Sequence, residues 1–208
     1  MTNQHLTNII NILQKGGVVL IPVDTVFGLI CDGTNENAVK KVETIKHRTK
    51  PSFSFFVKDI HVAKKYAIFS EWQENCFKRV FPGYFTLILK ASELAEKVLP
   101  ARTLGFQGNY TTIGLRIPYH TLCIKILEHF NIPLLATSAN ISGQKTPICI
   151  DDVPAEIQNS VDYLYHDNNH KLVGMSSTIV NISDETNIKI LRQGSGDIKL
   201  LQHLISFK

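Results

Sequence analysis

The chain has 208 residues, of which 44% are hydrophobic and 19% are charged, with a formal net charge of +4 and a mean hydropathy of +0.01. A chain of this length and balance buries roughly 70% of its unfolded surface, and we predict a single domain over residues 1–208. No apolar run approaches the roughly 18–20 residues that cross a bilayer, and residues 1–11 lack the pattern of a secretory signal. We therefore expect a cytoplasmic protein with no membrane span.

The mildly basic charge favours anionic ligands such as nucleotides or RNA, but the basic residues are too dispersed to form a nucleic-acid-binding tail. The four cysteines, Cys31, Cys76, Cys123 and Cys149, occur singly and form no CxxC pair. Such spacing is typical of reduced thiols rather than of disulfides or a zinc site.

In the first half of the chain, helical and strand patterns alternate. The predicted elements are a helix on Leu6, Ile9, Ile10 and Leu13 that ends at Gly16-Gly17, a buried strand over 17–23, a helix from the N-cap Asn35 to Ile45, a strand over 53–57, a helix over 70–81 that begins with a Ser70–Gln73 capping box, and a strand over 85–90.

The second half begins with residues 100–111, which show no periodicity and are predicted to be a mobile loop. The elements predicted after it are a strand over 113–117, a helix marked by Leu122, Ile126 and Leu127 that ends before Pro133, a strand over 134–137, a loop over 140–152, a short helix over 153–161, and strands over 177–182 and 188–192. Strands interleaved with helices predict an α/β fold with a mixed sheet.

Several familiar chemistries have no support in the sequence. No P-loop motif and no GxSxG motif occurs, and Gly194-Ser195-Gly196 lacks the third glycine of a dinucleotide fingerprint, so we interpret it as a turn. His166 and His170 have the spacing of two metal ligands on a helix. Asn168-Asn169 between them favours an exposed loop instead.

Polar residues stand where the predicted strands end, which is the usual place for ligand sites in α/β sheets. In PVDTVFGL, residues 22–29, Asp24 and Thr25 could orient a small polar ligand or simply form a turn. In IKHRTKP, residues 45–51, Lys46, Arg48 and Lys50 have the chemistry of a phosphate clamp. The alternative for this basic segment is compensation of a helix dipole.

Three later segments extend this polar set. Arg116 lies in the apolar strand of TTIGLRIP, so its guanidinium needs a partner, either a ligand carboxylate or an acidic side chain of the protein. LLATSANISG, residues 134–143, runs a strand into small hydroxyl and amide groups suited to phosphate or ribose oxygens. SSTIV, residues 176–180, and ILRQG, residues 190–194, add hydroxyls and Arg192.

Taken in order, PVDTVFGL, KHR, PGYFTLIL, TIGLRIP, TSANISG, SSTIV and ILRQG resemble the YrdC-like family, the threonylcarbamoyl-AMP synthases, over about residues 9–198. The resemblance implies a YrdC-like α/β fold, with a twisted, mixed open sheet, flanking helices and a basic concave surface. It also implies that L-threonine, bicarbonate and ATP are joined into threonylcarbamoyl-AMP with release of pyrophosphate. Separate transferase proteins would then use the product to modify an adenosine in tRNA.

Matched position by position, the resemblance implies L-threonine contacts from Thr25, Arg116 and Ser177. The residues that it implies for ATP are Lys46, Arg48, Thr112, Ser138, Asn140 and Arg192. We expect Mg²⁺ to arrive with ATP and no covalent protein intermediate to form.

The sequence departs from the family pattern in three places. Val23 and Phe27 replace a threonine and a tyrosine of the usual PTDTVYGL, and Thr49 replaces a proline after the KxR segment. The strand over 53–57 also lacks the family's histidine, which bears on the threonine pocket more than on the nucleotide site. YciO-like proteins depart around the same strand. The alternative function is a YciO-like paralogue that binds RNA, either tRNA or rRNA, through a contact with double-stranded RNA and has no synthase activity. The intact TSAN motif favours the synthases.

Overall fold

An eleven-stranded mixed sheet organises the computed structural model, which describes residues 3–47, 53–166 and 172–201. The strands are β1 Val19–Pro22, β2 Phe27–Asp32, β3 Ser54–Phe56, β4 Ala67–Ile68, β5 Phe85–Ala91, β6 Gly105–Gln107, β7 Tyr110–Arg116, β8 Leu134–Ser138, β9 Tyr163–Leu164, β10 Thr178–Asn181 and β11 Lys189–Arg192. The helices are α1 Asn3–Gln14, α2 Glu36–Ile45, α3 Ile60–Tyr66, α4 Glu71–Val80, α5 Glu93–Val98, α6 Thr121–Leu127 and α7 Ala155–Ser160.

The strand order is β11-β10-β5-β7-β3-β8-β2-β1-β9, with β4 paired to β5 and β6 paired to β7. The pairs β3–β7, β5–β10 and β1–β9 are parallel, and the other pairs are antiparallel. This path does not close on itself. The predicted fold class, a twisted, mixed open α/β sheet with flanking helices, is confirmed.

Helices cover the two faces of the sheet unequally. Helices α2, α3, α4, α5 and α7 pack into the larger apolar core on one face. Helices α1 and α6 pack into a smaller core on the other face, against side chains of β1, β2, β3 and β8. Among the described residues, no helix covers β5, β7 and β10 on that second face, which provides room for a cavity.

Alternation along the strands decides which side chains face this cavity, because successive residues of a strand point to opposite faces. In β7, Ile113 and Leu115 are buried in the larger core, while Thr112, Gly114 and Arg116 lie on the opposite face. The same strand thus supplies both core packing and polar groups.

Most of the predicted elements are confirmed to within a few residues. The predicted helix end at Gly16-Gly17 is a C-terminal cap, in which the Gly17 N–H donates to Ile12 O at 2.9 Å and Gly16 has φ +77°. The predicted capping box of α4 is also present. The Gln73 N–H donates to Ser70 Oγ at 3.2 Å, and the Ser70 N–H donates to Gln73 Oε1 at 2.9 Å.

The prediction that residues 100–111 form a loop is wrong. Residues 101–103 form a 3-10 turn, and β6 pairs antiparallel with β7 in a hairpin whose turn includes Gly108 at φ +58°. Strand β7 consequently begins at Tyr110, three residues before the predicted start. The hairpin shows no hydrophobic alternation, because Gly105 has no side chain and the next residue, Phe106, is exposed, so the sequence has no period of two in this segment.

The sequence prediction also missed β2 and the short helices α3 and α5. Strand β2 is buried along five of its six residues, so it lacks the polar alternation of a half-exposed strand. Helices α3 and α5 are too short to show a clear period. They do have N-caps, since Asp59 accepts from the Val62 N–H at 2.8 Å and Ser92 accepts from the Ala95 N–H at 3.2 Å.

All four cysteines are free thiols, as predicted, and Cys149 is exposed whereas the other three are buried. Within residues 3–47, 53–166 and 172–201, no helix is long and apolar enough to cross a membrane. His166 lies outside helices and strands, and His170 falls outside the described residues.

An ion-pair cluster links Lys64 of α3 to Glu74 and Lys78 of α4, and we expect it to make stability depend on pH. Hydrogen bonds from Lys64 and Lys78 lower the pKa of Glu74 from 4.5 to about 2, with the Lys78 Nζ 2.7 Å from Glu74 Oε1. A carboxyl whose pKa is lower in the folded chain stabilises the fold above its unfolded pKa, and this stabilisation is lost as the pH falls towards the folded value.

We therefore expect Glu74→Gln to lower the free energy of unfolding at pH 7 and to leave it nearly unchanged, relative to wild type, near pH 2. Urea unfolding at several pH values between 7 and 2 measures the difference. Glu71→Gln, one turn earlier on α4, is the control. A Glu74→Gln deficit that persists undiminished at pH 2 would contradict this origin of the effect.

Candidate functional site

A cavity of about 220 Å³ lies on the open part of the sheet face, and we call it the sheet cavity. Its floor consists of alternate residues of adjacent strands, and its walls come from the segments that follow them. The residues that carry its chemistry are Thr25, Thr86, Thr112, Arg116, Ser138, Ser176, Ser177 and Arg192, and its apolar surface includes Val23, Phe53, Phe56, Ile88, Ala136 and Ile179.

A second, more open cavity adjoins the first, and we call it the loop cavity because the 138–144 loop, Ser138–Gln144, forms much of its wall. Thr137, Ser138, Ser176 and Arg192 line both cavities. The two cavities therefore meet along a shared polar border, so a ligand in one can reach a ligand in the other.

Arg116 stands in the sheet cavity and forms a buried ion pair with Asp24. Arg116 Nη2 donates to Asp24 Oδ1 at 2.6 Å, and the Tyr119 N–H donates to Asp24 Oδ2 at 2.8 Å. On its other sides, Arg116 Nε donates to Gly83 O at 3.3 Å and Nη1 lies 3.4 Å from Thr25 Oγ1. Asp24 is behind Arg116 and does not line the cavity.

Burial acts on both members of this pair. It raises the pKa of the Asp24 carboxyl, which the charge of Arg116 and the Tyr119 N–H oppose. Burial lowers the pKa of the Arg116 guanidinium, and the charge of Asp24 opposes that shift. The charge of each group thus opposes the effect of burial on the pKa of the other and favours its ionised form. The guanidinium also lies 5.7 Å from the centre of the Phe56 ring.

A second polar group in the sheet cavity centres on Ser177, just before β10. Arg192 donates to Ser177 O from Nε at 3.0 Å and from Nη2 at 2.9 Å, and its Nη2 lies 3.2 Å from Ser177 Oγ. Ser177 Oγ is also 2.9 Å from Thr86 Oγ1. These bonds join β5, β10 and β11 at the cavity and fix the position of the Ser177 hydroxyl.

Lys46, which follows α2, is turned into the protein and is only 2% exposed. Its Nζ donates to Asn140 O at 2.7 Å, to Asn140 Oδ1 at 3.3 Å and to Ser138 O. The lysine therefore lies beside the loop cavity with its ammonium among oxygen atoms of the 138–144 loop.

The structure brings together eight of the nine residues predicted from the sequence. Thr25, Thr112, Arg116 and Ser177 line the sheet cavity, Lys46 and Asn140 line the loop cavity, and Ser138 and Arg192 line both. Arg48, like Lys50, falls outside the described residues. For Arg116, the alternative of an acidic partner within the protein is confirmed. Its side chain also lines the sheet cavity, and its contact with a ligand carboxylate stays a prediction. The idea that the Asp24 carboxylate itself orients a ligand is not supported, because Arg116 and the Tyr119 N–H occupy it.

Sequence reasoning missed Thr86, Thr103 and Gly105 as cavity residues. A signal existed for Thr86, which is the polar residue of an otherwise apolar strand in PGYFTLIL. Thr103 and Gly105 had no comparable signal, because their segment was predicted to be a loop without structure.

Comparisons with known proteins agree with this architecture. The profile of the Sua5/YciO/YrdC family, described as telomere recombination, matches residues 11–194. A Methanocaldococcus jannaschii relative that carries threonylcarbamoyl-AMP synthase as a provisional name is 33% identical over 184 residues, which are 88% of this chain and 82% of the relative.

Two solved structures extend the likeness to three dimensions. Escherichia coli YciO superposes with a TM-score of 0.82 at 25% identity, covering 96% of this chain and 93% of YciO. Pyrococcus abyssi Sua5 complexed with L-threonine superposes with a TM-score of 0.86 at 26% identity, covering 99% of this chain and 58% of Sua5. Because the family profile spans nearly the whole sequence and the same fold recurs in both structures, this chain belongs to the Sua5/YciO/YrdC family.

Proposed function

We propose that this protein is a threonylcarbamoyl-AMP synthase, which joins L-threonine, bicarbonate and ATP and releases pyrophosphate. The relatives that carry this name support the assignment. In this proposal the product serves threonylcarbamoyladenosine formation in tRNA, through separate transferase proteins.

The observation that carries the proposal is the pair of adjoining cavities. Arg116 gives the sheet cavity a fixed guanidinium, the group that binds a carboxylate best, with the hydroxyls of Thr25 and Ser177 in the same cavity. The loop cavity offers amide, hydroxyl and guanidinium groups for a nucleotide. A reaction that joins an amino acid to a nucleotide needs two such subsites with a common border.

In the proposed arrangement, L-threonine occupies the sheet cavity through Arg116, Thr25 and Ser177. The nucleotide extends from Thr112 into the loop cavity. The side chains proposed to contact it are Thr112, Ser138, Asn140 and Arg192, together with Arg48. The complex of Pyrococcus abyssi Sua5 with L-threonine supports an amino acid as one of the two ligands.

The chemistry needs positioning more than protein functional groups. The threonine amine attacks the carbon of CO2, or of bicarbonate with loss of water, and gives a carbamate. A carbamate oxygen then attacks the α-phosphorus, and the bond from that phosphorus to the β-phosphate oxygen breaks as pyrophosphate leaves. The guanidinium groups proposed to contact the nucleotide, those of Arg192 and Arg48, would stabilise the negative charge that develops on the phosphate oxygens in the transition state.

The described residues contain no cluster of three or more His, Cys, Asp or Glu side chains that could hold a metal ion. Mg²⁺ commonly binds through substrate phosphates and water with few protein ligands. We therefore propose that Mg²⁺ enters with ATP and neutralises phosphate charge, and we assign it no protein ligands.

Pyrophosphate release by the purified protein tests the proposal. We expect release that requires ATP, L-threonine and bicarbonate together, with an adenylate of the mass of threonylcarbamoyl-AMP. Glycine in place of L-threonine is a matched control for the side-chain contacts. No release from folded protein under any of these conditions would refute the synthase assignment.

A second candidate, a YciO-like paralogue that binds RNA, is favoured by one observation. Phe53, Ser54 and Phe56 line the sheet cavity on the side of β3. The histidine that the family pattern places in this strand is absent from residues 53–57. This candidate predicts that the protein binds tRNA or rRNA helices with a steep dependence on salt. It also predicts graded losses of affinity as basic residues are removed, and no pyrophosphate release.

A further inference from the structure

We propose that Lys46 is a positioning residue that builds the nucleotide side of the site by holding the 138–144 loop, and that it is not chiefly a ligand of ATP phosphates. The nucleotide part of this inference rests on the proposed function. The structural part does not, because it concerns the loop in the protein without ligand.

Lys46 grips the loop through both its side chain and its backbone. The ammonium donates to the carbonyl oxygens of Ser138 and Asn140 and to Asn140 Oδ1. In the other direction, the Ser142 N–H donates to Lys46 O at 3.2 Å. Lys46, at the end of α2, thereby holds every second residue from Ser138 to Ser142, in a segment more than 90 positions away in the sequence.

The loop's internal bonds depend on the same atoms. Ser138 Oγ donates to Asn140 Oδ1 at 2.5 Å, and Asn140 Nδ2 donates to Gln144 O at 2.6 Å. Asn140 Oδ1 therefore accepts from both Ser138 and Lys46, which orients its amide so that Nδ2 reaches Gln144. Without the ammonium, two carbonyl oxygens and one amide oxygen lose a charged donor, and the loop loses its common point of attachment.

A lysine ammonium has three protons to donate, and here three protein oxygens accept from it while the residue is only 2% exposed. A phosphate could gain Lys46 as a direct ligand only if bonds that shape the loop cavity were given up. Ser138 and Asn140, which the resemblance assigns to ATP, owe their positions to the lysine. The lysine of KHR is thus bonded to the TSAN segment, although the two motifs are far apart in the sequence.

Two measurements on Lys46→Met separate the roles. In calorimetry, we expect the affinities for adenosine and for ATP to fall by a similar factor of about ten, while the affinity for L-threonine changes by no more than about twofold. In hydrogen–deuterium exchange of the ligand-free protein, we expect faster exchange in residues 138–144 and unchanged exchange in β5 and β7. A general loss of structure would instead affect all of these readouts together.

Lys41→Met is the matched control, since Lys41 is a lysine of α2 that pairs with Asp162 at 2.7 Å and lines neither cavity. It should leave every readout unchanged. If Lys46→Met does not fold, Lys46→Arg keeps the charge but places a planar fork where a compact ammonium fits, and we expect the same pattern at reduced size.

A direct phosphate ligand would give a different result. Loss of ATP affinity with adenosine affinity intact, and with exchange in residues 138–144 unchanged, would overturn the inference. If the wild-type protein binds neither nucleotide, the proposed function fails while the inference is still decided by exchange alone. Faster exchange in the loop of the variant would uphold Lys46 as its anchor, and unchanged exchange would reject it.

Discussion

Replacing Asp24 by asparagine is expected to lower the free energy of unfolding by about 3–5 kcal/mol, because it leaves the Arg116 guanidinium charged, buried and without its counter-ion. The side chains of Arg116 and Asp24 are only 4% and 2% exposed, so water solvates the guanidinium too little to replace the lost carboxylate. Asparagine matches the shape of aspartate, and the loss therefore reports charge rather than packing.

The same change is expected to weaken L-threonine binding in protein that remains folded. Asp24 holds Arg116 Nη2 and directs the guanidinium along the cavity, leaving Nη1 beside Thr25. Without this restraint, the guanidinium can turn towards other oxygens. Urea unfolding gives the stability, and calorimetry with L-threonine at a temperature where the variant is folded gives the binding.

Asp162→Asn is the matched control, because Asp162 also pairs with a cation, Lys41, at 2.7 Å, but with both side chains partly exposed. An exposed pair of this kind contributes about 0–1 kcal/mol. The double variant Asp24→Asn, Arg116→Gln removes both charges and should recover part of the stability but none of the threonine binding. If Asp24→Asn is as stable as Asp162→Asn, Asp24 does not stabilise the fold by compensating the buried charge of Arg116.

The sheet strands that form the cavity floor were predictable because their side chains alternate between two environments. In β7, Ile113 and Leu115 face the larger core, whereas Thr112 and Arg116 face the sheet cavity. This alternation with a period of two is visible in the sequence. Capping residues gave the helix starts for a similar local reason. The Ser70–Gln73 box depends only on residues three apart.

What remained hidden depends on contacts between distant segments. Nothing near Arg116 in the sequence indicates that Asp24, 92 positions earlier, is its partner. The inward turn of Lys46 is equally non-local, since the oxygens that receive its ammonium belong to Ser138 and Asn140. Sequence patterns therefore located the charged groups of the site but left open whether each charge faces a ligand or the protein.

Gly194→Ala is the second change with a large expected effect. A Cβ on Gly194 would lie 2.1 Å from Ser176 O and 2.5 Å from Ser177 C, and both of these are backbone atoms. Because backbone cannot move aside as a flexible side chain can, we expect a loss of about 1–3 kcal/mol from the free energy of unfolding. The displaced segment, Ser176–Ser177, lines the sheet cavity, so ligand binding should weaken as well.

The neighbouring bonds show how the collision would reach the site. The Gly194 N–H donates to Thr178 Oγ1 at 2.9 Å, and the Ser195 N–H donates to Ser176 O at 2.9 Å. Arg192, two residues earlier, holds Ser177 O with two donors. If the added methyl group moves residue 194 away from Ser176, these hydrogen bonds lengthen. We expect the Ser177 hydroxyl to shift relative to Arg116 as a result.

Gly108→Ala separates this collision from the simple effect of adding a methyl group. A Cβ at Gly108 meets nothing within 4 Å, although its φ of +58° makes alanine unfavourable there by about 1 kcal/mol. Urea unfolding and calorimetry with L-threonine compare the two variants. We expect Gly108→Ala to bind L-threonine as wild type does and Gly194→Ala to bind it at least about tenfold more weakly. Equal binding by both variants would mean that the contact of Gly194 with Ser176–Ser177 does not set the geometry of the threonine subsite.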